Sequence, residues 1–246
     1  LGISAGASLG ATSAVLLGIG AAFGENAVGI AAFLGAFAVS VGVLFIANIG
    51  GRANAMKLLL GGMALSAVCS AFSSFIVYFA NDKEGIQTIT YWMMGSLAGA
   101  KWEHMAIIGG IVALAILFFW SQSRILNLML LGDASAITLG TDLHPYRQGY
   151  LIVSSLVVGF AVFAAGMIGF VGLVVPHVVR MLVGTDHKRL IPVTALVGAI
   201  FLVISDGLCR VLIPHTELPI GILIALVGAP AFIYLMVKRT YGFGGQ

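Results

Sequence analysis

The sequence predicts an all-α fold, a polytopic bundle of membrane helices, from its composition and from the spacing of its apolar runs. Of the 246 residues, 60% are hydrophobic and 9% are charged, and the mean hydropathy is +1.11. A soluble domain carries roughly 25% charged residues. The apolar residues fall into runs of the length, about 20 residues, that a helix needs to cross the hydrocarbon core. We therefore expect residues 1–246 to form a single transmembrane domain.

Seven full spans and one short, broken helix account for the apolar runs. The full spans are predicted at residues 1–23, 27–49, 56–80, 104–121, 149–168, 190–213 and 219–237. A further segment, residues 86–100, is short and semi-polar, and its Tyr91-Trp92 pair suits a membrane interface. The first run opens at Leu1 without a basic leader or an initiating Met, so we expect no cleavable signal peptide and a truncated start.

The short helix lies in residues 169–192 and is predicted to break at Pro176-His177. Its apolar part before Arg180 is too short for a full span. Proline removes a backbone donor, and in lipid the freed backbone group survives only where protein or a water-filled path covers it. The stretch ends in a basic knot, residues 184–189, which we expect at a water interface. No second His or Cys stands at zinc spacing from His177, so we interpret His177 as a core residue rather than a metal ligand.

Lysine and arginine residues are distributed unequally between the two sides of the predicted bundle. Alternating the spans assigns nine to one side, namely Arg52, Lys57, Arg124, Arg147, Arg180, Lys188, Arg189, Lys238 and Arg239. Three fall on the other side, namely Lys83, Lys101 and Arg210. Cytoplasmic loops carry the excess of Lys and Arg, so the basic knot and the C-terminus are predicted to be cytoplasmic. Orientation also explains the net charge of +3, which therefore indicates no nucleic-acid partner.

Small residues recur at every fourth position of the first span, at Gly2, Gly6, Gly10, Ala14, Gly18 and Ala22. They form one smooth helical face, which favours close approach to a neighbouring helix. Residues 2–6, GISAG, also match the G-x-S-x-G motif, but that motif presents its serine on a strand-turn-helix. An intramembrane serine hydrolase that pairs Ser4 with His104 or His177 is therefore an alternative that we rank below a packing role.

The sequence contains no motif for cysteine chemistry and none for nucleotide binding. Cys69 and Cys209 are single residues in apolar runs without a CxxC pattern, so we interpret both as small buried hydrophobic residues. The sequence also lacks the phosphate-binding pattern G-x-x-x-x-G-K-[ST]. If nucleotide hydrolysis drives this protein, another chain must supply it.

Residues 126–142 are apolar but too short to span, and they lie on the predicted cytoplasmic side. We expect Asp133 to act as the N-cap of a short helix, with its carboxylate accepting from the amides of Ser135 or Ala136. Gly140 is expected to end that helix. Two interpretations stay open on physical grounds: a helix that lies in the membrane interface, or a docking surface for a cytoplasmic partner.

Asp206 and Arg210 stand four residues apart on one predicted helix, in the order that favours an ion pair. Arg210 is near the outer end of its span, where its side chain can reach water. Ionisable groups inside spans are candidates for function, and the structural alternative is an ion pair that anchors the helix end. Asp206 is the one carboxylate inside a predicted span and no repeat is visible, which weakens the alternative of a secondary transporter.

Five stretches, taken together, resemble the transmembrane subunits of type II ABC importers, the permease family for ferric siderophores, haem and vitamin B12. They are LGISAGASLGA at 1–11, YWMMGSLAGAKW at 91–102, LGDASAITLG at 131–140, IGFVGLVVPHVVRMLVGTDHKRLIP at 168–192 and ELPIGILIALVGAPAFIYLM at 217–236. They run nearly end to end in the family's order. Members of the family have ten spans, and Leu1 corresponds to the start of the third, so the resemblance implies that two N-terminal spans are absent here.

The resemblance implies roles for particular residues. The coupling segment, residues 131–140, would seat on an ATPase subunit through Leu131, Gly132, Asp133, Ala134, Ser135, Ala136, Leu139 and Gly140. Arg210 would pair with a glutamate of a soluble binding protein. The gate turn, residues 51–56, would form a cytoplasmic gate through Arg52, Asn54, Ala55 and Met56, although relatives often have Ser or Thr where Asn54 and Ala55 stand. The candidate residues of the broken helix are Pro176, His177 and Arg180.

The resemblance implies a transport subunit rather than an enzyme. The expected function is to move an iron chelate, either a ferric siderophore or haem, from a binding protein across the cytoplasmic (inner) membrane of a prokaryote, with vitamin B12 as the alternative cargo. The expected partners are a second copy or a paralogous permease, two ATPase subunits on the cytoplasmic side, a soluble binding protein on the outer side, and membrane lipid. No cofactor is expected on this chain, and ATP and Mg are expected to be used by the partner ATPase.

Overall fold

A computed structural model describes residues 2–49, 51, 53–213 and 217–238 of the chain. Arg52 of the gate turn and Arg239 of the cytoplasmic charge excess lie outside these residues, as does the side chain of Lys238. Every regular element in the described ranges is a helix. They are α1 (Ile3–Leu17), a 3-10 helix (Ala21–Asn26), α2 (Ala27–Asn48), α3 (Ala55–Phe79), α4 (Lys83–Met94), α5 (Trp102–Ser121), α6 (Ser123–Met129), α7 (Asp133–Thr138), α8 (His144–Ala165), α9 (Val171–Val183), α10 (His187–Leu212) and α11 (Ile220–Lys238).

Four of these helices, α2, α3, α8 and α10, are long and apolar enough to cross a membrane. The bent pair α5 and α6, whose two parts meet at 62°, forms a fifth crossing if it is counted as one span. The apolar helices α1 and α9 and the part of α11 with described side chains are shorter. The predicted all-α membrane bundle is confirmed, and its helices follow the predicted spans in order.

The first helix is shorter than the predicted span at residues 1–23. It ends at Leu17 because Gly18 adopts a left-handed conformation with φ of 68°, which glycine reaches without the steric cost of a side chain. A 3-10 helix, Ala21–Asn26, then leads directly into α2. The predicted single span of 23 residues is therefore a helix of 15 residues followed by a short turn structure.

The small face of α1 packs against α2. A Cβ atom at Gly6 would overlap the carbonyl oxygen of Gly35, and one at Gly10 would overlap the carbonyl oxygen of Ala31. The two backbones therefore touch at positions where only glycine fits. The close packing predicted from the four-residue repeat is confirmed, and a partner for this face lies within the chain itself.

The short helix α9 runs without interruption through Pro176, so the break predicted at Pro176-His177 is wrong. The chain leaves helical geometry earlier, at residues 166–170 between α8 and α9. Within this segment Phe170 has a left-handed φ of 63°. The break in helical structure therefore lies at residues 166–170, between the full span α8 and the short helix α9.

Burial explains why α9 tolerates its proline. Pro176 removes one backbone hydrogen bond from the helix. On either side of it, Val175 and Val179 are buried in a cluster with Leu190 of α10. Full burial of an aliphatic side chain stabilises by about 1.5–3 kcal/mol, so the two valines offset the missing bond.

Both cysteines lie in apolar cores, as the sequence predicts. Cys69 is buried in the cluster that joins α2 and α3. Cys209 is buried with Ile220 and Ile224 where α10 meets α11. Both are free thiols, and they contribute to packing as small apolar side chains.

The basic knot and α6 lie at the same end of the bundle. The indole nitrogen Nε1 of Trp120 donates a hydrogen bond of 3.0 Å to the carbonyl oxygen of Lys188. The side chain of Asn127 donates to Asp186 at 2.8 Å and accepts from the backbone N–H of His187 at 2.9 Å. The sequence places residues 126–142 and the knot on one side of the membrane, and these contacts agree with that placement.

Candidate functional site

The coupling segment contains α7, a helix of six residues whose N-cap is Gly132 and not Asp133. No side chain caps this helix, so the predicted capping role of Asp133 is wrong. Asp133 is instead the first helical residue, and its carboxylate accepts two hydrogen bonds from Arg147 on α8, at 2.6 and 3.3 Å. A bidentate arginine is a stronger partner than a backbone amide, which explains why the carboxylate turns away from its own helix.

Gly140 closes α7, as the sequence predicts, two residues after the last helical residue Thr138. Gly140 has φ of 80°, and its N–H donates to the carbonyl of Ile137 at 2.9 Å. The N–H of Thr141 reaches back to the carbonyl of Ala136 at 2.9 Å. This pair of bonds is the Schellman motif that closes many helices. It fixes the direction in which the chain leaves α7 towards α8.

The outward side of the coupling segment is apolar. Leu131, Ile137 and Leu139 are each 60–65% exposed, and Ala134 and Ser135 are exposed beside them. Ala136 is the exception, because it is completely buried against the bundle. An exposed apolar surface is typical of a site that contacts either a protein partner or the membrane. The predicted contact residues therefore face outward, with Ala136 on the inward side.

Arg147 connects the coupling segment to the gate turn. Besides its two bonds to Asp133, it donates from Nη1 to the carbonyl oxygen of Ala53 at 3.4 Å. Its side chain is only 18% exposed. A small cavity of about 110 Å³ lies against these groups and is also bordered by Asn54 and His144. In the sequence, Arg147 is only one of nine positive charges on the predicted cytoplasmic side, because no local pattern relates it to Asp133 or to Ala53.

The gate turn is organised by Asn54. Its Oδ1 accepts a hydrogen bond of 2.8 Å from the backbone N–H of Lys57, so Asn54 is the N-cap of α3. Asparagine is among the preferred residues at this position. Ala55 and Met56 follow on the exposed side of the first turn of α3. Asn54 thus fixes where α3 begins, directly after the carbonyl of Ala53 that Arg147 holds.

A second link joins α8 to the end of α2, just before the gate turn. Nε2 of Gln148 donates to Oδ1 of Asn48 at 3.3 Å. The side chain of Asn48 in turn donates to the carbonyl of Leu44 at 2.7 Å within α2. Gln148 is adjacent to Arg147 in the chain. The start of α8 therefore contacts both ends of the loop between α2 and α3.

The basic knot carries a carboxylate that is held in its ionised form. The side-chain amide of Asn127 and the backbone N–H of Lys188 donate to Asp186 and lower the pKa of its carboxyl group below the ordinary value of 3.8. Nearby Arg189 and Lys188 act in the same direction. Because Oδ1 of Asp186 also caps α10, the ionised carboxylate stabilises the turn between α9 and α10.

Pro176 and Arg180 of α9 border an apolar cavity of about 420 Å³ between α5, α8, α9 and α10. His177 points elsewhere and packs edge-on against Phe232 of α11, with ring centroids 6.1 Å apart. No group of three His, Cys, Asp or Glu side chains that could hold a metal occurs within the described ranges. The interpretation of His177 as a packed core residue agrees with this contact.

Arg210 lies at the other end of the bundle from the coupling segment. Its Nε donates to Oδ2 of Asp206 at 2.8 Å, which confirms the predicted pair four residues apart. The arginine side chain stays 48% exposed. Arg210 is 23 residues along α10 from His187, which corresponds to about 35 Å of helix at 1.5 Å per residue.

Ser4 lies in the first turn of α1, not on a strand-turn-helix. The cavity beside it is bordered by apolar residues of α4, α8 and α11 and by the segment before α9. In the part of the chain that the structure describes, no histidine borders this cavity. The side chain of His104 lies outside the described residues. Among the side chains that the structure describes, none that borders this cavity is a base of the kind that activates a nucleophilic serine.

Comparison with known proteins gives one family. Residues 1–238 match the FecCD transport family. The chain is 39% identical over 242 residues to the vitamin B12 import system permease proteins BtuC of Salmonella typhi and of Salmonella newport (strain SL254). These alignments cover 98% of this chain and 72% of each relative.

Solved structures share the fold. An ABC transporter assigned to the metal-chelate type, in an inward-facing conformation, superposes with a TM-score of 0.87 at 34% identity, over 97% of this chain and 74% of that chain. PsaBC from Streptococcus pneumoniae in complex with Fab superposes with a TM-score of 0.63 at 16% identity, over 98% of this chain and 82% of that chain. At that level of identity the second similarity concerns the fold alone.

Proposed function

Since this chain belongs to the FecCD transport family, and is thus a permease subunit of an ABC importer, we propose that its cargo is a metal chelate. The observation that carries this proposal is the similarity to the transporter of the metal-chelate type, at 34% identity over 97% of the chain. The sequence predicts an iron chelate, either a ferric siderophore or haem. Vitamin B12, a chelate of cobalt, is the second candidate because relatives at 39% identity are named for its import.

The two ends of the bundle are proposed to bind different partners. The exposed apolar residues of the coupling segment would seat on an ATPase, which would bind and hydrolyse ATP with Mg. Arg210, which lies about 35 Å along α10 from His187 of the basic knot, would meet the soluble binding protein. Two copies of this chain, or one copy and a paralogous permease, would enclose the transport path. The separation of these surfaces supports a protein that joins a partner on each face of the membrane.

The orientation follows from the same proposal. The end with the coupling segment and the basic knot would face the cytoplasm, and the end with Arg210 would face outward, in the cytoplasmic membrane of a prokaryote. The distribution of Lys and Arg supports this orientation. The gate turn, next to the coupling segment, would close the path at its cytoplasmic mouth.

The cargo is tested through the partners that co-purify. The permease is expressed together with candidate ATPase and binding-protein subunits from the same organism, and is recovered in mild detergent. We expect an ATPase with a P-loop to co-purify, and the binding protein to retain one class of metal chelate, identified by metal analysis and mass spectrometry. Bound ferric siderophore or haem supports the first candidate and a corrinoid supports the second. A binding protein that retains only a ligand without metal would contradict both.

A further inference from the structure

The side chain of Arg147 forms hydrogen bonds with both the coupling segment and the gate turn. One guanidinium makes two bonds to the carboxylate of Asp133 on α7 and one to the carbonyl of Ala53 in the gate turn. Asp133 and Ala53 are 80 positions apart in the sequence. The guanidinium is planar and its donors are fixed relative to one another. A displacement of Asp133 therefore changes the direction of the donor that faces Ala53.

The coupling segment needs a polar connection to the bundle because little of it is buried. From Leu131 to Gly140, Ala136 is the one buried residue. A helix of six residues cannot hold its own orientation, since isolated short helices are marginal. The two-point bond to Arg147 fixes the first turn of α7 in both position and rotation. Force applied to the exposed side of α7 is thus passed to Arg147.

The gate turn is placed so that a movement of Arg147 would shift it, because Arg147 bonds to its residue Ala53. Ala53 is 4% exposed, so little of this residue is open to bulk solvent. The next residue, Asn54, is the N-cap of α3, and a shift of Ala53 moves the start of that helix. On the other side of the loop, Gln148 holds Asn48 at the end of α2. The two contacts from α8 give the loop one fixed end and one end that follows Arg147.

We propose that Arg147 is a positioning residue that transmits movement of α7 to the start of α3, so that events at the ATPase change the state of the gate turn. This inference rests on the proposed function. It requires that both contacts act together, because either one alone anchors a single element and couples nothing. Coupling between two sites in proteins commonly amounts to about 5- to 150-fold in an equilibrium, and a loss in that range is expected when the link is cut.

The first test uses Arg147→Met in the complex of permease, ATPase and cargo-loaded binding protein, reconstituted in proteoliposomes. Methionine keeps an apolar stem and removes every donor. The quantity measured is the amount of cargo taken up per ATP hydrolysed, which we expect to fall by about fivefold or more. Arg147→Lys, which retains the charge without the two-point geometry, should give an intermediate value. Arg124→Met, at an exposed arginine on α6, is the matched control and should leave the ratio unchanged.

A charge exchange separates transmission from simple anchoring of α7. In the double variant Asp133→Arg with Arg147→Asp, an ion pair can form again between α7 and α8. The aspartate introduced at position 147 has no donor for the carbonyl of Ala53. We expect the ATPase complex to be recovered with the exchange variant in the same yield as with the wild type, while the cargo moved per ATP stays low. Wild-type values of both quantities would show that Arg147 only anchors α7, and would overturn the proposal.

Spin labels on cysteines introduced at Thr138 of α7, which is outside the proposed ATPase contact residues, and at Met56, both exposed, give a readout that does not depend on uptake. In the wild type, the distance between the labels should keep one narrow distribution with and without ATP, because Arg147 moves the two elements together. In Arg147→Met the distribution should broaden or shift with ATP. Equal distributions and equal coupling ratios in both proteins contradict the inference, whereas absence of uptake in the wild type contradicts the proposed function instead.

Discussion

The side chain of Asn127 donates a hydrogen bond of 2.8 Å from Nδ2 to Oδ1 of Asp186. Its own Oδ1 accepts from the N–H of His187 at 2.9 Å. One asparagine at the C-terminal part of α6 therefore holds the turn that joins α9 to α10. The turn lies next to α6, and α6 leads into the coupling segment. We therefore expect a less stable turn to hold α6 and the coupling segment less rigidly in position.

Acid should weaken this turn through Asp186. The hydrogen bonds from Asn127 and Lys188 lower the pKa of the folded carboxyl below 3.8. A lowered pKa contributes stability that is fully present above the unfolded value, and this contribution is lost as the pH falls through 3.8 towards the folded value. We expect the thermal midpoint of the wild type to fall more between pH 5 and pH 3, a range of about two units around that value, than that of Asp186→Asn. Equal acid sensitivity of both proteins would exclude this role for Asp186.

A bulky charge on the outward face of α7 should prevent ATPase docking. Ala134 is exposed, so Ala134→Glu is expected to leave the thermal midpoint of the isolated permease unchanged and to reduce recovery of the ATPase complex by roughly tenfold or more. Ala100→Glu, at an exposed alanine before α5, is the matched control and should not affect recovery. Ala136 is completely buried, and a glutamate there would disrupt α7 itself. Normal recovery of the complex with Ala134→Glu would remove the coupling segment from the ATPase contact.

The contact between α1 and α2 should not accommodate even one added methyl group. At Gly10 a Cβ atom would overlap the backbone of Ala31, so Gly10→Ala is expected to destabilise the bundle by about 1–3 kcal/mol. Gly109→Ala is the matched control, because a Cβ atom there meets no other atom within 4 Å and alanine favours the helix. Thermal unfolding in detergent measures both. Equal midpoints for the two variants would show that α1 and α2 do not touch at Gly10.

Charge reversal at Arg210 should weaken binding of the soluble partner. Arg210 is 48% exposed, and Arg210→Glu is expected to reduce affinity for the binding protein by roughly fivefold at low salt and by less at moderate salt. A glutamate-to-arginine change on the binding protein should restore part of the affinity. Asp206→Asn is the control, since it removes the partner of Arg210 within α10 and leaves the guanidinium in place. If both variants lower the thermal midpoint and neither changes affinity, Arg210 serves only to anchor its own helix.

Much of the fold follows from local features that the sequence displays. The predicted spans at 27–49, 56–80 and 104–121 agree with α2, α3 and α5 to within two residues at each end. In these cases an apolar run is bounded by polar or capping residues, and both signals are local. The early end of α1 at Gly18 was missed because the apolar run continues to Phe23, although a glycine that closes a helix is itself a recognised signal.

The site was less predictable, because its contacts join distant parts of the chain. Asp133 has the residue type of an N-cap and lies next to that position, and only the tertiary structure shows that its carboxylate bonds to Arg147. The same holds for Pro176, where a local rule predicts a break and burial of the neighbouring valines against α10 preserves the helix. The composition of the coupling segment left a helix in the membrane interface and a docking surface as alternatives, and it did not predict the arginine that connects the segment to the gate turn.

Uptake into proteoliposomes measures whether this chain contributes the membrane path of an ATP-driven importer. The permease and its ATPase are reconstituted, ATP or ADP is enclosed with Mg, and binding protein loaded with radiolabelled chelate is added outside. We expect accumulation with ATP inside and none above background with ADP. Accumulation that continues without the ATPase, or that follows an ion gradient instead of ATP, would contradict this expectation.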